Sequence, residues 1–320
     1  MNFTKFIIGI SEYSNVDELL KYGFRQFYFG YVDKSYIEKY STQISPNRRY
    51  RLKEQYTSYE KVFNDIEKIK KSNGSVFLAI NAFFTNDIIL DEIKKYFDLF
   101  KDKVDGMIVA NMPTLLYLHS LGYDKIVLSN LFGFYSKYAV EFFLKFKPIK
   151  IILPRDIMLS ELKEIVSFYK EINFEVFLFG DNCRFSEAFC FSEHGYDSLE
   201  FGSLCSYSLN SKKIIDKANV NFKHIIKNPK LSNEEKQAFL KVNYLNPTYK
   251  ALSENDNHYK IFHKLNKSAI LQTIEFFKQF SNIVSYKIPS RGREFVKFLI
   301  TDKYEPYNYK ESQYNLWNCI

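Results

Sequence analysis

One order of elements repeats along this chain and constrains its fold more than any other feature: a short β-rich apolar run, a polar break, then an amphipathic helical stretch. The apolar runs read as strands over residues 5–11 (KFIIGIS), 26–31 (QFYFGY), 75–81 (SVFLAIN), 105–111 (DGMIVAN), 125–132 (KIVLSNLF), 150–156 (KIILPRD), 175–181 (EVFLFGD) and 285–289 (SYKIP). Helical stretches such as VDELLKYG, YEKVFNDIEKIKKSNG, LDEIKKYFDLFKDK, SKYAVEFFLKF and LSELKEIVSFYKEI lie between them. Eight β-then-α units specify an α/β fold, a modified (β/α)8 TIM-like barrel. With 320 residues, 46% apolar and 26% charged, the chain can close such a core. It is too apolar to be disordered and too long for a disulfide-stapled miniprotein.

Polar residues end nearly every strand: Ser11, Asn81, Asn111, Ser129 and Asn130, Arg155 and Asp156, Asp181, then Lys287. In a barrel these ends converge on one face, where catalytic loops sit. Two segments depart from the minimal pattern. Residues 33–58 read as an inserted polar, Arg-rich loop, and residues 182–284 as a long insertion before the last strand. The expected layout is one barrel domain over 1–304 with a C-terminal tail at 305–320. No run approaches the roughly 18 apolar residues of a spanning helix, and the start, MNFTKFIIGISEYS, lacks a cleavage-site pattern. A cytoplasmic location is the expectation.

The net charge of +8 is unevenly placed: residues 206–304 hold 18 Lys+Arg against 8 Asp+Glu, whereas residues 1–205 hold 26 against 27. Such a basic segment can attract RNA, an anionic metabolite or an acidic partner, or simply be a solvated surface. Basic residues are mostly Lys, 37 against 8 Arg. In a chain so biased, the arginines are candidates for sites that need a planar, two-pronged donor.

The four cysteines are Cys183, Cys190, Cys205 and Cys319. Three fall in one segment directly after a strand, GDNCRFSEAFCFSEHGYDSLEFGSLCSYS. Their C-x6-C-x14-C spacing matches neither a zinc ribbon nor a ferredoxin run. They read either as ligands or as small buried hydrophobes.

The surroundings of these cysteines resemble the collagenase-like peptidase family U32: EVFLFGDNC, then Cys190 with Ser192 two residues on, then Gly202 to Cys205. The likeness extends through FYFGY, SPNRRY, FLAINAFF, VDGMIVAN, IVLSN, IILPRDIMLSELKEI and YKIPSRGREFV. This resemblance implies a modified barrel bearing a 4Fe-4S cluster. It also implies hydroxylation without molecular oxygen, with prephenate as an oxygen donor and an RNA base or a small aromatic quinone precursor as substrate. The enzyme would work alone or with a hetero-oligomeric partner of the same family. Cys183, Cys190 and Cys205 match the first three cluster ligands. The fourth departs from the family pattern, since no Cys lies between 206 and 318, which leaves Cys319 or an open iron position.

Arg49, Arg155 and Arg293 fall on family-like positions, and their forked guanidinium groups suit the carboxylates of such a donor. His194 is a candidate proton donor or alternative ligand. Asn81, Ser129 and Lys287, at strand ends, are candidates for substrate binding, while Asn81 and Ser129 serve equally as caps of the helices that follow. Signatures of a protease are missing: there is no H-E-x-x-H or G-x-S-x-G, and the five His form no metal spacing. Proteolysis and a non-catalytic electron-carrying subunit are the competing readings.

Overall fold

The computed structural model describes residues 2–40, 46–48, 54–82, 85–155, 157–178 and 267–288. Eight strands form a closed barrel in chain order: β1 (Phe6–Ile10), β2 (Gln26–Phe29), β3 (Ser75–Ile80), β4 (Gly106–Val109), β5 (Ile126–Leu128), β6 (Lys150–Ile152), β7 (Phe174–Phe177) and β8 (Ile283–Ile288). Every neighbouring pair is parallel, including β8 with β1. The fold is therefore the (β/α)8 barrel that the alternation specifies.

The connecting helices are α1 (Val16–Lys21), α2 (Lys34–Tyr40), α3 (Tyr59–Lys71), α4 (Asp87–Phe100), α5 (Met112–Ser120), α6 (Lys137–Phe143), α7 (Leu159–Phe168) and α8 (Lys267–Lys278). Their starts follow from capping chemistry. Asn15, Ser58, Asn86, Asn111 and Ser136 each accept a hydrogen bond from a backbone N–H in the first turn, and so satisfy a donor the helix leaves open. The strand β4 is shorter than its apolar run because the polar end of that run, Asn111, is spent this way. Asn111 caps the start of α5 and also reaches across to the segment after β3, donating to Ala82 O at 2.7 Å.

The span 33–58 differs from the expected loop. It opens with α2, whose Tyr36 is buried and lies 4.9 Å from the Tyr40 ring. The polar composition of the segment masked these two aromatics.

Two apolar cores are separated by the strand wall. The outer one fills the space between barrel and helices; Phe100 of α4 meets Phe29 of β2 at 5.6 Å and Tyr31 at 5.3 Å. Inside the barrel, Ile7, Tyr28, Phe77, Ile108, Val127, Ile152 and Phe177 form a second cluster. Register places these residues in layers of four from alternate strands. One layer is Ile7, Phe77, Val127 and Glu175; the next, toward the strand C-termini, is Tyr28, Ile108, Ile152 and Lys287. Each layer thus contains one charged residue among three apolar ones.

Candidate active site at the strand C-termini

The C-terminal mouth is built from residues that follow β3, β5 and β6. Arg155 comes three residues after β6, where Pro154 has ended the strand, and its guanidinium carbon sits 4.8 Å above the ring of Phe177 from β7. A planar cation on an aromatic face is held in orientation. Asn81 follows β3 on the same alternation as Phe77 and Ala79. Its Oδ1 is buried and accepts no hydrogen bond among the described residues. A buried carbonyl oxygen without a donor costs free energy on the order of 1–3 kcal/mol, a cost that an N–H or O–H from water or a ligand would relieve.

The capping reading holds for one of the strand-end polar residues and not for the other. Ser129 is a cap: its Oγ accepts from Leu131 N at 3.4 Å, donates to Asn130 Oδ1 at 3.2 Å, and opens a short 3-10 turn over Asn130–Phe132. Asn81 is not, because Asn86 caps α4.

Lys287 lies below the rim, inside the barrel and 7% exposed. Its Nζ is 2.6 Å from Glu175 Oε1 and 4.1 Å from the centre of the Tyr28 ring. Lys150 of β6 approaches the same carboxylate from the other side, 2.6 Å from Oε2, as a charge contact without hydrogen-bond alignment. Two ammonium groups and one carboxylate thus share the barrel axis. Burial alone would raise the Glu175 carboxyl, but the two lysines outweigh it and hold it below the usual carboxylate range. For Lys150 burial is the larger effect, and it pushes the ammonium down against the pull of Glu175. Sequence reasoning missed Lys150 and Glu175. Each reads as an ordinary charge at the start of a strand, and only the alternation of inward-facing positions could have found them.

A second anchored group lies over the ends of β1 and β2. Asn47 is buried and donates from Nδ2 to Tyr31 O at 3.1 Å and to Gln55 Oε1 at 2.7 Å. Glu12 accepts from the backbone and hydroxyl of Thr57 at 2.9 and 2.7 Å. These contacts fix both sides of the Arg-rich segment to the mouth, and Arg48, next to Asn47, takes a left-handed φ of 59°. Arg49, Arg293, His194, Cys183, Cys190, Cys205 and Cys319 lie outside the described residues. Among the described residues, no group of His, Cys, Asp and Glu is arranged to hold a metal, and no helix is long and apolar enough to cross a membrane.

A barrel with an arginine and an unsatisfied amide at its C-terminal mouth has the layout of a ligand-binding α/β-barrel protein. The model of peptidase family U32 matches residues 11–295, and the chain belongs to that family. Among solved structures, the chain is similar to the U32 peptidase Mk0906, with 14% identity and a TM-score of 0.40 over 55% of this chain and 69% of that one. No curated protein matches the chain.

Proposed function

We propose that the protein is an iron-sulfur enzyme that hydroxylates an RNA base or a small aromatic without molecular oxygen, with prephenate as the oxygen donor. The observation that carries this reading is the position of the cysteines in the chain. β7 runs toward the mouth that holds Arg155 and Asn81, and Leu178, just past its end, is the last described residue before Cys183, Cys190 and Cys205.

Three thiols in one segment are a soft donor set suited to iron-sulfur ligation, and Cys183, Cys190 and Cys205 would hold the cluster, with Cys319 as the candidate fourth ligand. When bound, the cluster supplies electron transfer and, at an iron without a thiolate, a Lewis-acid position.

The chain's own residues do the rest. Arg155, braced on Phe177, binds a carboxylate of the donor through two parallel N–H groups. Asn81 Oδ1 accepts a hydrogen bond from a ligand hydroxyl. The packed layer of Tyr28, Ile108 and Ile152 closes the floor and excludes bulk water. Arg49 and Arg293 are proposed to share the carboxylates, and His194 to exchange a proton with the substrate. A hetero-oligomeric partner of the same family would present the larger substrates.

Protein purified without oxygen should be brown, with a broad band near about 400 nm and iron in stoichiometric amount. A colourless protein after anaerobic reconstitution sinks the proposal, and cluster-independent cleavage of casein or collagen would replace it with proteolysis. Enzyme and electron carrier are then separated by calorimetry with prephenate. Arg155→Lys keeps the charge and loses the fork, a difference of about 2 kcal/mol or roughly 30-fold in affinity, with cluster content unchanged. No saturable binding to the unsubstituted protein would point to the carrier, and equal affinity in Arg155→Lys would remove that residue from the site.

A further inference from the structure

The barrel axis carries titratable groups that this chemistry leaves unused. At the N-terminal mouth, opposite the candidate active site, a cavity of about 340 Å³ is bounded by Gln26, Asp105, Lys150, Asn173 and Ser285 among others. Asn173 is exposed, so water reaches the cavity. Lys150 forms its inner wall, with Nζ 2.6 Å from Glu175 Oε2, 3.4 Å from Ser285 Oγ and 4.0 Å from the centre of the Phe77 ring. On the far side of the same carboxylate, Oε1 is 2.6 Å from Lys287 Nζ. Lys287 pairs in register with Phe177, the residue on which Arg155 rests. Three adjacent strands therefore place ammonium, carboxylate and ammonium in succession from the N-terminal cavity to the layer beneath the C-terminal mouth.

We propose that Lys150, Glu175 and Lys287 form a proton relay through the barrel, connecting water at the N-terminal mouth with a proton acceptor at the C-terminal mouth. Lys287 gives an N–H proton to the acceptor and is left as a neutral amine. The Lys150 ammonium then rotates into hydrogen-bond alignment with Glu175 Oε2, already within 2.6 Å, and protonates it; the carboxyl turns about its Cγ–Cδ bond, and the same proton passes to Lys287. Water in the cavity restores Lys150, so one proton has crossed and every group returns to its starting state. The line already holds one proton more than neutrality requires, and the burial that pushes Lys150 down makes that proton easier to release. Asp105, ion-paired with Lys70 at 2.5 Å, is the other charged group on the cavity side, and the Tyr28 ring faces Lys287 above. The relay serves whatever proton-consuming reaction the upper mouth hosts, so it stands apart from the hydroxylase reading.

The test needs no turnover. In the full chain labelled with 15N-lysine, the exchange of the Lys287 ammonium protons with solvent is followed by NMR, the signal being assigned by its loss in Lys287→Met. Lys150→Met removes the lower end and leaves a one-to-one Glu175–Lys287 pair. Glu175→Asp keeps the charge but shortens the reach. Both should slow exchange at Lys287 by about tenfold or more, corresponding to at least about 1.4 kcal/mol in barrier. Exchange at the original rate in either folded variant would show that Lys287 communicates only with the upper mouth, and the relay would be wrong. A colourless, cluster-free protein would leave this result standing, so the two proposals fail separately.

Discussion

Glu175→Gln should lower the unfolding free energy by about 3–5 kcal/mol, since it leaves two buried ammonium groups without a counter-charge. The carboxylate is fully buried and both of its oxygens are engaged. Urea unfolding at neutral pH measures the difference, and a loss below about 1 kcal/mol would mean that the lysines shed their protons at little cost.

The pH dependence has a definite sign. A carboxyl held below its usual range contributes stability that is fully present above the unfolded value of about 4.3 and is lost as pH falls through the folded value. The gap between the original protein and Glu175→Gln should therefore narrow in acid. Lys150, pushed below its ordinary value, acts in alkali: stability rises with pH between its folded and unfolded values, where the unfolded chain binds more protons. Replacing all three residues by Met or Leu should recover most of the loss, because a well-packed apolar core dispenses with the cost of desolvating ions.

The second large effect concerns the thiols. Under the proposed function, Cys183→Ser, Cys190→Ser and Cys205→Ser should each abolish most of the bound iron, since a hydroxyl is a poor, hard substitute for a thiolate. Cys319→Ser discriminates between the two ways of completing the set. Iron loss equal to that of Cys183→Ser makes Cys319 the fourth ligand; retention of a full iron complement leaves a three-cysteine site. Indifference at all four positions would end the cluster reading in both versions.

Much of the fold was legible because apolar periodicity reports a barrel directly. The run SVFLAIN becomes β3 nearly as written, while EVFLFGD shares only Glu175–Phe177 with β7, which starts one residue earlier at Phe174. Boundaries were less legible where a polar residue changes employer: Asn111 looks like a strand end but caps α5, and Ser129, a candidate for ligand binding, also closes a turn. α2 was hidden because KSYIEKY buries one aromatic on an otherwise polar helix. Of the site, Arg155 could be located from its strand-end position, whereas its brace on Phe177 depends on two strands meeting in register. The Lys150–Glu175–Lys287 line was illegible for the same reason. Its members are far apart in sequence, and charged residues in short strands give no sign of which way they face.

The gap between β7 and β8 gives that line a further role, in assembly. Seven strands are complete by Phe177, and the eighth begins only at Ile283, about a hundred residues later. Bringing the ends of such a span together costs on the order of 4 kcal/mol in chain entropy, and the same strand must also meet β1, which lies farther still along the chain. The arriving strand must also choose its height between two waiting edges. A slip of one residue would turn Lys287 outward among the helices and leave Glu175 facing apolar neighbours with half its charge partners gone. Misaligned closure is thus penalised by the same interaction that stabilises the correct one, and the ion line acts as the keyed latch of the barrel.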